Sequence, residues 1–298
     1  MTTSPFRPDT LAGKRILITG GGTGLGRGVA RHLVEHGAEV HLWGRRPAVL
    51  EEAAAEASAS RPGSVHFQAV DVRQPDMVDA AMDEIWTLHG PLTGVINNAA
   101  ANFIAPTETL SPRGFEAVSS TVMNGSFNTT HAAGRRWIAG GDKGVVLSTL
   151  TTWVWTGSAF VVPSAMGKAA VHAMTMSLAV EWAKYGIRLN ALAPGPIPTD
   201  YAWEMLNPTD KSSVGATQAD QVPAGRMGTI EELANLTIFL LSDACDYLTG
   251  QTIAMDGGQM LAGPGTFAGL TSMTAEDWAQ AKERSKAATA ASKAQRGV

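Results

Sequence analysis

The most chemically loaded run in the chain is TGGGTGLG, Thr19–Gly26. Glycine carries no Cβ, so such a run can turn tightly and let the backbone approach an anion closely. It follows the apolar run RILIT and opens a helical pattern, which brings unpaired N–H groups and a positive helix end to its close. Thr19, Gly20, Gly22, Thr23, Gly24, Leu25 and Gly26 are therefore the expected cradle of a pyrophosphate. Where a second strand ends, HLWGRRP offers Arg45 and Arg46 and no acid. An acid there would hold a ribose 2′-hydroxyl, whereas a guanidinium pairs with a 2′-phosphate, so NADP(H) is the expected cofactor. Asp71 follows a third strand and is placed for the adenine. Asn97 and Asn98 close a fourth strand at the sheet's carboxyl edge, where ligands bind. Ser164 and Lys168 stand four residues apart and share a helix face.

Such groups need a scaffold, and the hydrophobic pattern supplies one. Apolar runs at Arg15–Gly20, Ala38–Gly44, Ser64–Val72, Leu92–Ala100, Gly144–Leu150, Ile187–Gly195 and Gln251–Gly258 read as strands. Helical patterns at Leu25–His36, Ala48–Ser60, Pro75–Leu88, Gly114–Ala139, Ser164–Tyr185 and Thr229–Leu241 fall between them. The alternation predicts an α/β fold: a doubly wound, Rossmann-like parallel sheet of seven strands in a single domain over residues 1–298. The long, proline-broken loop Pro196–Arg226 is of a length usually given to function, and a tail from about 271 to 298 has helical character. Small and apolar residues along Ala165–Ala179 read as a packing face fit for a subunit interface.

The composition excludes several function classes. A net charge of −4 gives no basic field for nucleic acid or an anionic membrane. No apolar run reaches membrane-spanning length, MTTSPFRPDT is no leader, and QRGV is no peroxisomal address, so the expected location is the cytoplasm. The one cysteine, Cys245, cannot form an internal disulfide and sits between Asp243 and Asp246, which disfavour a thiolate. His131, His172 and the other histidines show no metal-like spacing, and no metal is expected.

TGGGTGLG, INNAA, a helix holding Lys168, NALAPGPIPT and AMDGG resemble, in that order, the short-chain dehydrogenase/reductase superfamily. The resemblance implies a site of Asn, Ser, Tyr and Lys, in which the phenol protonates a carbonyl oxygen and the ammonium lowers the phenol pKa. Here Lys168 is kept, Thr151 stands for the serine, Val122 for the asparagine and Ser164 for the tyrosine. A serine hydroxyl ends about 4 Å short of a phenol oxygen and is a far weaker acid. Tyr185, Tyr201 and Tyr247 match no pattern.

One branch, the 2,4-dienoyl-CoA reductases, carries serine four before the lysine. GGGTGLGRG, DVRQPDMV, INNAAANFIAPTE, GSAFVVPSAMGKAAV, EWAKYGIRLN and GTIEELANL resemble its mitochondrial-type members. The resemblance implies hydride delivery to C5 of a dienoyl thioester, charge on the thioester oxygen, and solvent protonation at C2 to a 3-enoyl-CoA. It implies Asn102 as an oxyanion donor, with Thr151 and Ser164 as supporting polar groups. The branch's second donor, a tyrosine eleven residues before the serine, is here Trp153. The resemblance extends the cofactor site to Val72, Ala99, Pro194, Gly195 and Ile197, and the substrate site to Phe103, Ser111, Met205 and Arg226. Met205 stands where relatives place an arginine for CoA phosphates. The partners implied are an acyl-CoA and copies of the chain itself, as a homotetramer. Two alternatives stay open: a same-fold reductase for a non-CoA substrate, and a cofactor-binding protein of low activity.

Overall fold

A computed structural model describes residues 4–102, 104–199, 219–263, 274–277 and 279–280. Seven strands form one parallel sheet in the order β3-β2-β1-β4-β5-β6-β7: β1 Arg15–Thr19, β2 Glu39–Gly44, β3 Val65–Ala69, β4 Gly94–Asn97, β5 Gly144–Thr149, β6 Ile187–Pro194 and β7 Thr252–Met255. The order reverses between β1 and β4, and this is where a parallel sheet opens a crevice at its carboxyl edge.

The helices cover both faces. On one side, α1 (Gly24–Glu35), α2 (Pro47–Ala57) and a helix over Ile230–Leu241 bury Val29, Leu33, Leu50, Leu233 and Ile238 against Ile16, Ile18 and Leu42. On the other, α3 (Pro75–Leu88) and two long helices described next bury Val78, Ile85, Trp137 and Trp182 against Leu17, Trp43 and Val95. Alternate residues of β2 go to opposite faces, as the period-two pleat requires.

The single helix expected over Gly114–Ala139 is three pieces: α4 (Pro112–Ser119), a π-helical turn at Ser120–Asn124, and α5 (Gly125–Gly140). A π turn bonds i to i+5 and so adds one residue within a continuous helix, which a single averaged helical period over the segment does not resolve. The turn carries Val122, the residue at the superfamily's asparagine position. Val122 packs on the helix bearing Lys168 so closely that a Cβ at Gly167 would stand 3.0 Å from its side chain. A short helix unforeseen in the sequence, α6 (Trp153–Thr156), follows β5; then come α7 (Val162–Trp182) and α8 (Ile230–Leu241). Thr229 opens α8 with a reciprocal capping box to Glu232. Buried Arg188 of β6 donates to the carbonyls of Leu240 and Ser242, satisfying that helix's last acceptors. The third strand stops at Ala69, short of the expected Val72, so Asp71 and Val72 stand in the loop beyond it. Thr274 and Asp277 cap each other's backbone at the start of the tail, most of which lies outside the described residues.

Candidate active site

The cradle is built from two loops that the sheet order brings side by side. Asn98 donates through Nδ2 to the carbonyls of Thr19 and Gly20 at 3.1 and 3.2 Å, and the Ala99 amide donates to Thr19 Oγ1 at 3.0 Å. The approach is close enough to demand glycine. A Cβ on Gly20 would lie 2.9 Å from Ala99 Cα, and one on Gly26 would lie 2.5 Å from the Gly20 carbonyl oxygen. No side chain caps α1, whose N-cap is Thr23, and no acid stands in its first turn. Its first amides and its dipole are left facing the loop, which suits an anion. Thr199 Oγ1 is buried without a hydrogen-bond partner among the described residues and points to the same place, 3.7 Å from where a Gly24 Cβ would sit. These features fit a dinucleotide pyrophosphate. Pro194, Gly195 and Ile197 lead from β6 into this segment, and Gly195 bonds back to the Met255 carbonyl.

The nucleoside end is charged. The Arg45 and Arg46 side chains are exposed and without a polar partner among the described residues. Asp71 is gripped by Arg73, whose Nε lies 2.9 and 3.0 Å from its two oxygens. Arg73 holds the Asp71 carboxyl below the usual carboxylate range, and Arg45 adds to the effect. Arg73 was not singled out in the sequence; its signal was the D-x-R spacing. Val72 is fixed by Asn128, which donates to its carbonyl at 2.9 Å.

The reactive end centres on α7. Ser164 and Lys168 share one buried face, as their spacing requires. The Lys168 ammonium donates to the carbonyl of Thr149 at the end of β5. Burial without a carboxylate partner pushes Lys168 down to about 8. Thr151 Oγ1 accepts the Trp153 amide at 3.1 Å and so starts α6. That turn sets Trp153 half-buried near the site, with no acceptor for its indole N–H among the described residues. Asn102 is also half-buried, and its side-chain amide is uncommitted among the described residues. Asn97, at the end of β4, donates to Thr130 Oγ1 at 2.8 Å, while its own oxygen is buried without a partner among the described residues. Among the described residues the region offers uncommitted donors and a buried cation; Tyr185 and Tyr247 are exposed elsewhere, and Tyr201 lies outside the described residues.

Two expected substrate contacts are otherwise engaged. Ser111 caps α4, accepting the Gly114 amide at 3.1 Å. Arg226 forms a fork with Glu232, at 2.9 and 2.6 Å, and holds the Glu232 carboxyl down at about 2. A CoA phosphate at Arg226 has to compete with that carboxylate. Phe103 and Met205 lie outside the described residues.

The parallel sheet, its reversal point, the glycine cradle and the Ser164–Lys168 pair define a short-chain dehydrogenase/reductase, an oxidoreductase fold built around a nicotinamide dinucleotide. The chain belongs to this family: the profile described as "Enoyl-(Acyl carrier protein) reductase" matches residues 20–260. It is 43% identical to a probable (2E)-enoyl-CoA-producing 2,4-dienoyl-CoA reductase of Bacillus subtilis, covering 83% of this chain and 97% of that protein. It is 37% identical to a probable (3E)-enoyl-CoA-producing 2,4-dienoyl-CoA reductase of Caenorhabditis elegans, covering 97% and 94%. Among solved structures it resembles a gluconate 5-dehydrogenase from Burkholderia cenocepacia in complex with NADP and tartrate: 32% identity, TM-score 0.76, covering 85% and 98%. No helix among the described residues is long and apolar enough to cross a membrane.

Proposed function

We propose that the protein reduces a 2,4-dienoyl-CoA to a (3E)-enoyl-CoA with NADPH, a step of fatty acid metabolism. One observation carries the reading: where a carbonyl reductase keeps its acidic phenol, this site holds Ser164 one helical turn before buried Lys168, and Asn102 follows the fourth strand with its amide uncommitted among the described residues. Such a site can stabilise negative charge but has no side chain to deliver a proton in step with hydride transfer. A vinylogous reduction asks for no more. The nicotinamide, when bound, supplies the hydride that reaches C5. Asn102 then donates to the thioester oxygen as charge gathers there, and Trp153 is oriented by α6 as a candidate second donor. Lys168 holds the cofactor's ribose and adds positive potential. With no acid placed for the proton among the described residues, protonation by solvent at C2 gives the 3-enoyl product. The name of the Bacillus subtilis relative indicates a 2-enoyl product instead, so the position of the double bond is part of the test. NADPH oxidation is followed with 2,4-dienoyl-CoA esters of several chain lengths, and the product is characterised by mass spectrometry and NMR. No turnover with any ester sinks the CoA reading and leaves a non-CoA reductase or a protein of low activity.

The preference for NADPH rests on Arg45 and Arg46. Arg45→Ala is expected to weaken NADPH binding by about tenfold, the value of one charge-assisted hydrogen bond, and to leave NADH nearly unchanged. Fluorescence titration with both cofactors measures this; equal losses contradict a 2′-phosphate at Arg45.

We further propose a homo-oligomer, with a tetramer as the expected closed form. Phe127 and Met123, on α5 and the π turn, and Met166, Met176 and Val180 on α7 are all exposed, Val180 at 82%. Apolar area of this kind on two adjacent helices marks an interface. Light scattering at micromolar protein should give a multiple of the chain mass; a monomer there overturns the proposal.

A further inference from the structure

Glu39, His41, His66 and His89 meet on a part of the sheet that the reduction does not use. Each offers one ligand atom, and the four atoms all lie within 4.8 Å of one another. We propose that these four residues form a Zn2+ site.

Local structure explains how they converge. Glu39 and His41 are two apart on β2 and share the face turned to α3. The parallel register sets His66 of β3 directly beside His41. α3 ends at Leu88, and the next residue, its C-cap His89, lies over the same face. Ring centroids are 5.0 Å apart for His41–His66, 4.8 Å for His41–His89 and 4.1 Å for His66–His89.

The distances suit a tetrahedral ion. Glu39 Oε1 stands 3.2 Å from His41 Nε2, 3.5 Å from His89 Nδ1 and 3.6 Å from His66 Nε2. Zinc bonds of about 2.0–2.1 Å give ligand–ligand edges of about 3.3–3.4 Å in a tetrahedron. Three of the six edges are thus near their bound length before an ion enters. Three imidazoles and one carboxylate favour a borderline transition ion over Mg2+ or Ca2+, which take oxygen ligands.

The surroundings are those of a metal shell. Arg15 holds the same carboxylate, with Nη2 3.2 Å from Oε2 and Nε 3.0 Å from Oε1, the oxygen nearest the three imidazoles, and so fixes its orientation. Arg15 also opposes a cation electrostatically; Glu84, on the wall of the same depression, offsets it. The depression holds about 300 Å3, and His66 and His89 are partly open to solvent there, which provides an entry path. Glu39 is the first residue of β2, at the amino end of the sheet, whereas the cradle lies beyond the carboxyl ends. Four protein ligands close the coordination shell. The ion therefore acts as a clasp between the edge strand β3 and the end of α3, with no part in the reduction.

The test uses the full-length, tag-free protein, stripped with a chelator and titrated with ZnCl2 by calorimetry. One Zn2+ per chain is expected at micromolar affinity or tighter. A melting temperature raised by about 5 °C is expected when free Zn2+ is about 100 times Kd. His66→Ala and His89→Ala should each weaken binding by at least about tenfold, while His131→Ala, remote from the cluster, should not. Binding well below one ion per chain, or binding unchanged in the His66→Ala and His89→Ala variants, overturns the proposal. If those variants misfold, the Co2+-loaded wild type decides: an intense visible band of tetrahedral Co2+ supports the site, and a weak octahedral spectrum overturns it.

Discussion

Asn102→Ala is expected to lower kcat for dienoyl-CoA reduction by roughly 10²-fold, the usual loss for one oxyanion donor, with KM changed far less. The reason lies in what the site lacks. Charge that develops on the thioester oxygen meets no phenol among the described residues, so fixed dipoles must stabilise it. Asn102 is half-buried and its amide is committed to nothing else among the described residues. Asn102→Asp should be worse than alanine, since it sets a carboxylate against a developing anion. Trp153 separates in the same assay. A rate loss in Trp153→Phe assigns the indole N–H a donor role, a near-normal rate assigns it packing, and Trp153→Tyr should keep or raise activity. A kcat for Asn102→Ala within threefold of wild type, with folding intact, would remove Asn102 from the mechanism.

Lys168→Met is expected to do two opposite things. Burial depresses the Lys168 ammonium from 10.5 to about 8, which corresponds to about 3 kcal/mol of charge burial at neutral pH. Its only compensation among the described residues is one hydrogen bond to the Thr149 carbonyl. Methionine fills similar space without the charge, so the cofactor-free variant should melt about 5 °C higher at pH 7. If Lys168 holds the cofactor's ribose as proposed, the same change removes a charged donor there and should cut kcat/KM by about 30- to 100-fold. A residue that costs stability and is kept for the reaction is a usual trade at a working site.

The pH dependence has a definite sign. The folded pKa lies below the unfolded one, so between about 8 and 10.5 the unfolded chain binds more protons, and stability rises with pH across that window. Wild-type activity should fall as pH climbs through about 8, where Lys168 loses its charge, and the methionine variant should lack that limb. Scanning calorimetry on the cofactor-free protein and initial rates over pH check both. A variant that melts lower, or that keeps full activity, would overturn the assignment.

Much of the fold and part of the site can be read from local patterns. Seven apolar runs alternating with helical periods are enough for a parallel sheet, because each strand buried on both faces must be almost wholly apolar. The cradle is legible for the same local reason: backbone packed against backbone admits only glycine, and Gly20 and Gly26 meet that condition. Lys168 and Ser164 follow from four-residue spacing on a helix. The strands end sooner than the apolar runs suggest, β3 at Ala69 and β4 at Asn97, because ladder pairing stops before the run leaves the sheet edge.

Tertiary structure alone decided the pairings. Arg226 looks like a free cation in sequence, yet Glu232 occupies it through a capping box that a three-residue spacing from Thr229 only hints at. Arg73 takes Asp71 because the loop beyond β3 curls back on itself. Val122 reads as a lost asparagine, but only the π turn shows that it has become packing against Gly167. The four-ligand cluster is the clearest case. Residues 39, 41, 66 and 89 have no metal-like spacing, because the ligands come from two adjacent strands and the end of the helix that crosses them. Sequence determines what each segment buries and which turns it can make. The register of a parallel sheet, set between segments far apart in the chain, determines which side chains meet.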